Sequence, residues 1–130
     1  QVMHFQSAVI STRFIKTGES VGYTANWTAQ RNSTIATVAV GYGDGYPRHA
    51  PNGTPVLING VKCPLVGRVS MDMITVDITD LNTEIAIGAD VTLWGPELSV
   101  TEVAEHCGTI GYELLTRMPA RVPRIYINAK

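Results

Sequence analysis

Two short stretches concentrate the residues of this chain whose types and spacing could do chemistry. The first is Val40 to Arg48, VGYGDGYPR. Three glycines interleaved with two tyrosines and an aspartate make a poor strand interior. Glycine permits positive φ and close backbone approach, so Gly41, Gly43 and Gly45 suggest a tight turn presenting Tyr42, Asp44 and Tyr46 at a surface or cleft. An ordinary hairpin end, with Asp44-Gly45 as the turn and half-buried tyrosines beside it, explains the same letters equally well. The second stretch is Gly67 to Met73, GRVSMDM. It sets Arg68 and Asp72 around a small Ser70, with Met71 and Met73 between apolar segments. Charges inside an apolar passage need partners or a task. In isolation, an Arg68 to carboxylate pair tying two strands together is the simpler reading.

Other chemistries find little support. Neither a phosphate-binding loop with its Lys-Ser/Thr nor a GxGxxG fingerprint leading into a helix is present, and no GxSxG elbow marks a hydrolase nucleophile. His4, His49, His106, Cys63 and Cys107 form no HxxxH or CxxC pair, so no metal site is expected, although Asp44, His49 and Asp72 could meet in space. A formal net charge of −1 with scattered basic residues gives no footprint for nucleic acid or an anionic membrane surface. No apolar run approaches the ~20 residues of a membrane helix. Two cysteines without a secretory leader fit a reducing compartment, and the expected location is the cytoplasm. The start at Gln1, without an initiator methionine, suggests a piece of a longer protein.

The elements that must position these residues are mostly extended. The 130 residues are 45% hydrophobic and 16% charged, enough for one domain with a real core. Gly, Pro, Asn or Asp punctuates the chain every eight to twelve residues, the rhythm of an antiparallel sandwich or barrel. Strands are expected over Ser7 to Phe14, Val21 to Ala29, Thr34 to Val40, Gly67 to Ser70, Met73 to Ile78 and Val91 to Trp94. Thr34 to Val40 is the candidate central strand. Asn59-Gly60 between Pro55 to Ile58 and Val61 to Cys63 is a strong hairpin signal, because a type I′ turn needs positive φ at both central residues. Ser99-Val100-Thr101-Glu102 has the form of a capping box, with Gly108 placed to end the helix it starts. A second short helix is plausible over Tyr112 to Met118. Arg121 to Asn128 closes as a strand, with Pro123 at an edge or just before its start. The expected fold is mainly β: an antiparallel, barrel-like domain with one or two short helices near residues 99–118.

Five blocks in order, VGYTANWTA, VGYGDGYPR, VGRVSMDM, TIGYELLTR and RVPRIY, closely resemble the C-terminal domain of alanine racemase. The resemblance covers nearly the whole chain, and the ordered set is far more specific than any one block.

The resemblance implies a division of labour. Family members join an N-terminal (β/α) barrel, which carries pyridoxal 5′-phosphate on a lysine, to a mostly β C-terminal domain, and residues 1–130 would be that second part alone. Lys16, Lys62 and Lys130 fall in no matching catalytic motif. Racemisation of the small amino acid alanine then uses two opposed bases, the barrel lysine and a tyrosine that maps onto Tyr23 of VGYTANW. An unperturbed phenol has a pKa near ~10, so this tyrosine needs a neighbouring cation or donor, which the barrel would supply. Met71 matches the position whose backbone amide meets the substrate carboxylate, with Asp72 in the same block, and Tyr112 matches a tyrosine bonded to the cofactor phosphate. Tyr42, Arg48, Arg68 and Ile110 match positions lining the substrate entryway. Gly43 and Ser70 stand where the family varies. The implied assembly is a homodimer, each C-terminal domain completing the partner's site, with D-alanine going to peptidoglycan or alanine entering catabolism. A non-catalytic β module, or a broad-specificity or serine racemase, are the alternatives.

Overall fold

A computed structural model of the chain describes residues 2–21, 27–108 and 125–127. The element that organises the molecule is a long strand, β1 (Val2–Ile15). Its register shifts between Phe5 and Gln6 against one neighbour and between Val9 and Ser11 against another. Such irregularities bend a strand and raise its twist, which lets one strand serve two parts of a curved sheet. The N-terminal half of β1 pairs with β8 (Asp90–Trp94) and β9 (Ile125–Ile127), and its C-terminal half with β4 (Ser33–Val38).

The sheet runs β6 (Val61–Pro64), β5 (Pro55–Ile58), β8, β1, β4, β7 (Ile74–Asp77), every pair antiparallel. Its two ends approach each other. An isolated bridge joins Leu65 to Val76, and Val66 N–H donates to Thr75 O at 3.0 Å. The result is a mainly β fold: six antiparallel strands in a nearly closed barrel with one short helix among the described residues. Near-closure leaves little unpaired edge, the chief liability of a small sheet.

The interior follows from the strand sequences. β4 is buried or half-buried along its whole length, as expected of the candidate central strand, and lies between β1 and β7. β7 alternates buried Ile74 and Val76 with half-buried Thr75 and Asp77. Trp94 anchors the main core, with Phe5 edge-on at 4.8 Å between ring centroids and Tyr46 stacked at 6.2 Å. Asn59 (φ 48°) and Gly60 (φ 82°) turn β5 into β6, both in the left-handed region that the Asn-Gly signal requires.

The helix α1 (Val100–Cys107) begins where the capping pattern places it, with Ser99 Oγ accepting from Glu102 N–H at 3.0 Å. Gly108 closes it at φ 70°. Only half of the expected capping box forms, because the Glu102 carboxylate accepts from Lys62 Nζ on β6 at 2.7 Å. The expected helix over Tyr112 to Met118 lies outside the described residues. Of the expected closing strand Arg121 to Asn128, the described part is β9, Ile125–Ile127, and Pro123 lies outside the described residues.

Two strand expectations fail. Val21 to Ala29 is not one strand: β2 (Ser20–Val21) and β3 (Trp27–Thr28) pair antiparallel with each other, Ser20 to Thr28 and Val21 to Trp27. The β-rich composition hid the reversal because no Asn-Gly or Asp-Gly marks it. Gly67 to Ser70 carries no strand, since Gly67 sits at φ 79°. The β2–β3 ribbon covers a second, smaller core of Ile15, Val21, Ala29, Ile35 and Val66, with Trp27 packed against it.

Candidate functional site

The glycine-rich block forms a single 3-10 turn, Tyr42–Asp44, and not a hairpin end. The Asp44 carboxylate accepts from Gly41 N–H at 3.1 Å, and Gly45 ends the turn at φ 101°. Its two tyrosines part company. Tyr42 stays half-buried at the surface, while Tyr46, expected at a cleft, is 2% exposed inside the main core. Burial pushes the Tyr46 phenol well above its ordinary pKa, with the nearby Cys107 adding to the shift. Such a phenol is unsuited to act as a base.

The turn lies directly on the second chemistry-bearing stretch. Tyr42 N–H donates to Ser70 O at 3.0 Å and Gly43 N–H to Met71 O at 2.9 Å. The approach is close enough that a Cβ on Gly41 would overlap Ser70 O and lie 2.5 Å from both Asp72 N and Met71 C. Residues 70–73 fold into a turn of their own. Ser70 Oγ accepts from Met73 N–H at 3.0 Å and donates to Met73 O at 2.9 Å, and Ser70 N–H donates to Met73 O at 3.0 Å. Ser70 Oγ also reaches Asp72 Oδ1, at 3.4 Å. Met71 and Asp72 are exposed, Met71 by 60%.

Arg68 stands between two depressions. One, of about 470 Å³, is lined by Tyr42, Arg48, His49, Asn52, Arg68 and Val69 among others. The Arg48 guanidinium lies over the Tyr42 ring, 4.8 Å from its centroid, a cation–π arrangement that fixes the direction of both side chains. The other depression, of about 360 Å³, takes in Ile10, Arg13, Val21, Arg68, Ser70 and Met73. No acidic side chain lines either one among the described residues. The expected Arg68 to carboxylate pair is therefore replaced by an arginine left at a cleft. Asn52 Oδ1 accepts from Gly67 N–H at 2.8 Å and holds the backbone that carries Arg68. On its other side Gly67 abuts Val21 of β2: a Cβ there would stand 3.2 Å from Val21 Cγ1.

Of the residues singled out from sequence, Tyr42, Arg48, Arg68, Met71 and Asp72 thus gather at one end of the barrel. Tyr23, Ile110 and Tyr112 lie outside the described residues. The ribbon ends that flank residues 22–26 are nonetheless placed, since Val21 borders the second depression. Sequence reasoning missed the cleft contributions of Ile10, Arg13 and Asn52, which carry no local signal, and weighed His49 only as a metal ligand. Asp44, His49 and Asp72 do not meet as a metal cluster, and none is found among the described residues.

The molecule is thus a nearly closed antiparallel β-barrel domain with a cation-rich cleft assembled from turns, and no acidic side chain lines that cleft among the described residues. The family model described as "Alanine racemase, C-terminal domain" matches residues 2–126, and the chain belongs to that family. It is 60% identical over 97% of its length to an alanine racemase of Pseudoalteromonas atlantica, and 56% identical over 98% to one of Stutzerimonas stutzeri. It spans about a third of their length, 33% and 35% respectively. Among solved structures, the biosynthetic alanine racemase of Pseudomonas aeruginosa superposes with a TM-score of 0.92 at 55% identity, over 96% of this chain and 35% of that one. An alanine racemase of Bartonella henselae with covalently bound pyridoxal phosphate superposes at 0.89 with 42% identity, over 95% and 34%.

Proposed function

We propose that this chain is the C-terminal part of a pyridoxal-phosphate-dependent alanine racemase, interconverting L- and D-alanine by a two-base mechanism and providing D-alanine for peptidoglycan or for alanine catabolism. The observation that carries the reading is that Tyr42, Arg48 and Arg68 line one cleft while the Tyr42 turn lies directly on the turn that carries Met71, in a chain of this family. An acid-free cleft holding arginines suits an amino-acid carboxylate.

In this reading the cofactor is held mainly by the rest of the enzyme, on a lysine beyond these residues. Neither depression is lined by Lys16 or Lys62, which fits that arrangement. Pyridoxal phosphate, when bound, stabilises the negative charge left at the α-carbon. What this chain contributes is placement. Tyr23 Oη takes the α-proton of L-alanine and returns a proton to that face in the reverse reaction. The Met71 N–H, with Asp72 beside it, receives the substrate carboxylate, and Tyr112 bonds the cofactor phosphate. Tyr42, Arg48, Arg68 and Ile110 narrow the entryway to small amino acids. Val21 and Trp27, packed in the second core, hold the two ends of the segment that carries Tyr23. Rigid opposition of two bases is what a two-sided proton transfer demands. The functional unit is a homodimer in which each C-terminal domain completes the site of its partner.

Tyr23→Phe in the full-length enzyme tests the assignment. General-base catalysis of this kind is worth roughly 10²–10⁴-fold, so exchange of the α-proton of L-alanine with deuterium should fall by that order while exchange from D-alanine falls less. Equal losses for both enantiomers would remove Tyr23 from the mechanism.

A further inference from the structure

We propose that Gly41 is a positioning residue for substrate binding: the lack of a side chain there lets the 41–43 turn lie flat on residues 70–72 and fix the direction of the Met71 N–H. The inference rests on the assignment of that N–H to the substrate carboxylate.

The geometry follows from the planarity of the peptide group. In a trans peptide the C=O and the following N–H point in opposite directions. Tyr42 N–H draws Ser70 O toward the turn at 3.0 Å, so the N–H of the same peptide, that of Met71, points away from it. Gly43 N–H draws Met71 O toward the turn at 2.9 Å, and the Asp72 N–H is turned away in the same sense. Two successive peptide planes are thereby pinned by their carbonyls. Their amides are left without a hydrogen-bond partner among the described residues. The next amide, Met73 N–H, is already taken by Ser70 Oγ at 3.0 Å.

Contact this close is open to glycine alone. The atoms that a Cβ on Gly41 would strike, Ser70 O, Met71 C and Asp72 N, are all backbone and have no rotamer by which to yield. φ of Gly41 is −151°, an extended value that any residue adopts, so the requirement at this position is space and not backbone conformation. Asp44 completes the device by holding Gly41 N–H at 3.1 Å, which fixes the turn against its own first residue. Tyr42 on the same turn carries the Arg48 guanidinium over its ring, so one short segment sets both the entryway and the carboxylate seat.

The test uses the full-length holoenzyme with Gly41→Ala. A hydrogen bond to a charged group is worth enough that its misalignment should raise KM for alanine about tenfold. The rise should be equal for L- and D-alanine, because the carboxylate is common to both. The inhibition constant of propionate, which keeps the carboxylate and lacks the amine, should rise in step. That of ethylamine, which lacks the carboxylate, should stay where it is. A folded, cofactor-loaded Gly41→Ala enzyme with unchanged KM would overturn the proposal, and so would equal weakening of propionate and ethylamine. Ser70→Ala loosens the same turn from its other side without adding an atom, so it decides the matter if Gly41→Ala fails to fold. Its expected effect is about threefold in KM and in the propionate constant, restored by Ser70→Thr; no change overturns the role of the turn. A wild-type enzyme that does not racemise alanine would instead sink the functional reading itself, and the wild-type assay alone makes that distinction.

Discussion

Tyr42 and Tyr46 stand four residues apart in one glycine-rich block and have opposite fates, and the difference is one of solvation. Tyr42 keeps a partner in Arg48 at the cleft, whereas Tyr46 Oη is fully buried with no hydrogen-bond partner among the described residues. A buried hydroxyl without a partner costs about 1–3 kcal/mol, so Tyr46→Phe should leave stability unchanged or raise Tm by several degrees. A clear fall in Tm by calorimetry would mean that the hydroxyl has a partner after all. Cys63 offers a second test at this scale. Burial, then Asp77 and Asp80, push its thiol up to about 11 from 9.0. A raised folded-state pKa favours the protonated form in the fold. The stabilisation it brings is therefore complete below pH 9 and is lost as pH rises toward 11. Thermal melts from pH 8 to 11 should show this decline, and Cys63→Val should flatten it. An unchanged slope in that variant would assign the alkaline loss to other groups.

Elements whose signal is a local backbone requirement were legible in the sequence. Asn59-Gly60 turns where its positive φ demands, and Ser99 caps α1. Replacing Ser99 by Ala removes the acceptor of Glu102 N–H and should cost about 1 kcal/mol, measured by urea unfolding. A loss well below ~0.5 kcal/mol would show that the Lys62–Glu102 bond holds the helix start by itself. That bond also shows why the second half of the capping box does not form although the local letters fit it: the competing donor comes from 40 residues away. The same limit explains the ribbon. Val21 to Ala29 has strand composition throughout, and its division into β2 and β3 depends on packing over Ile15, Ile35 and Val66. Local letters likewise place Arg68 in a different block from Tyr42 and Arg48. Their meeting at one cavity, and the part Asn52 plays through Gly67 N–H, are products of barrel closure between Val66 and Thr75 and carry no signal along the chain.

At the scale of the molecule, apolar side chains remain outside the core on the cleft side of the barrel. Ile10 and Met73, 43% and 42% exposed, line the second depression, and Met71 stands 60% exposed on the adjoining turn. Such exposure at the mouth of a site fits the proposal that the remainder of a racemase, two thirds of its length, packs here and brings the cofactor with it. The proposal divides the chemistry between two parts of the enzyme, and the lysines test the division. A lysine that holds pyridoxal phosphate as an imine needs a pocket around its amine. Lys16 lies exposed at the turn after β1, and Lys62 lies exposed on β6 with its ammonium against Glu102 at 2.7 Å. The isolated chain, incubated with pyridoxal phosphate and reduced with borohydride, should take up no more label than an unrelated protein with as many exposed lysines. The full-length enzyme treated identically should carry one stoichiometric label, in a peptide from outside residues 1–130. Stoichiometric labelling of Lys16, Lys62 or Lys130, located by peptide mapping, would place the covalent step within this domain and end the proposal that it supplies one wall of a site whose cofactor is anchored elsewhere.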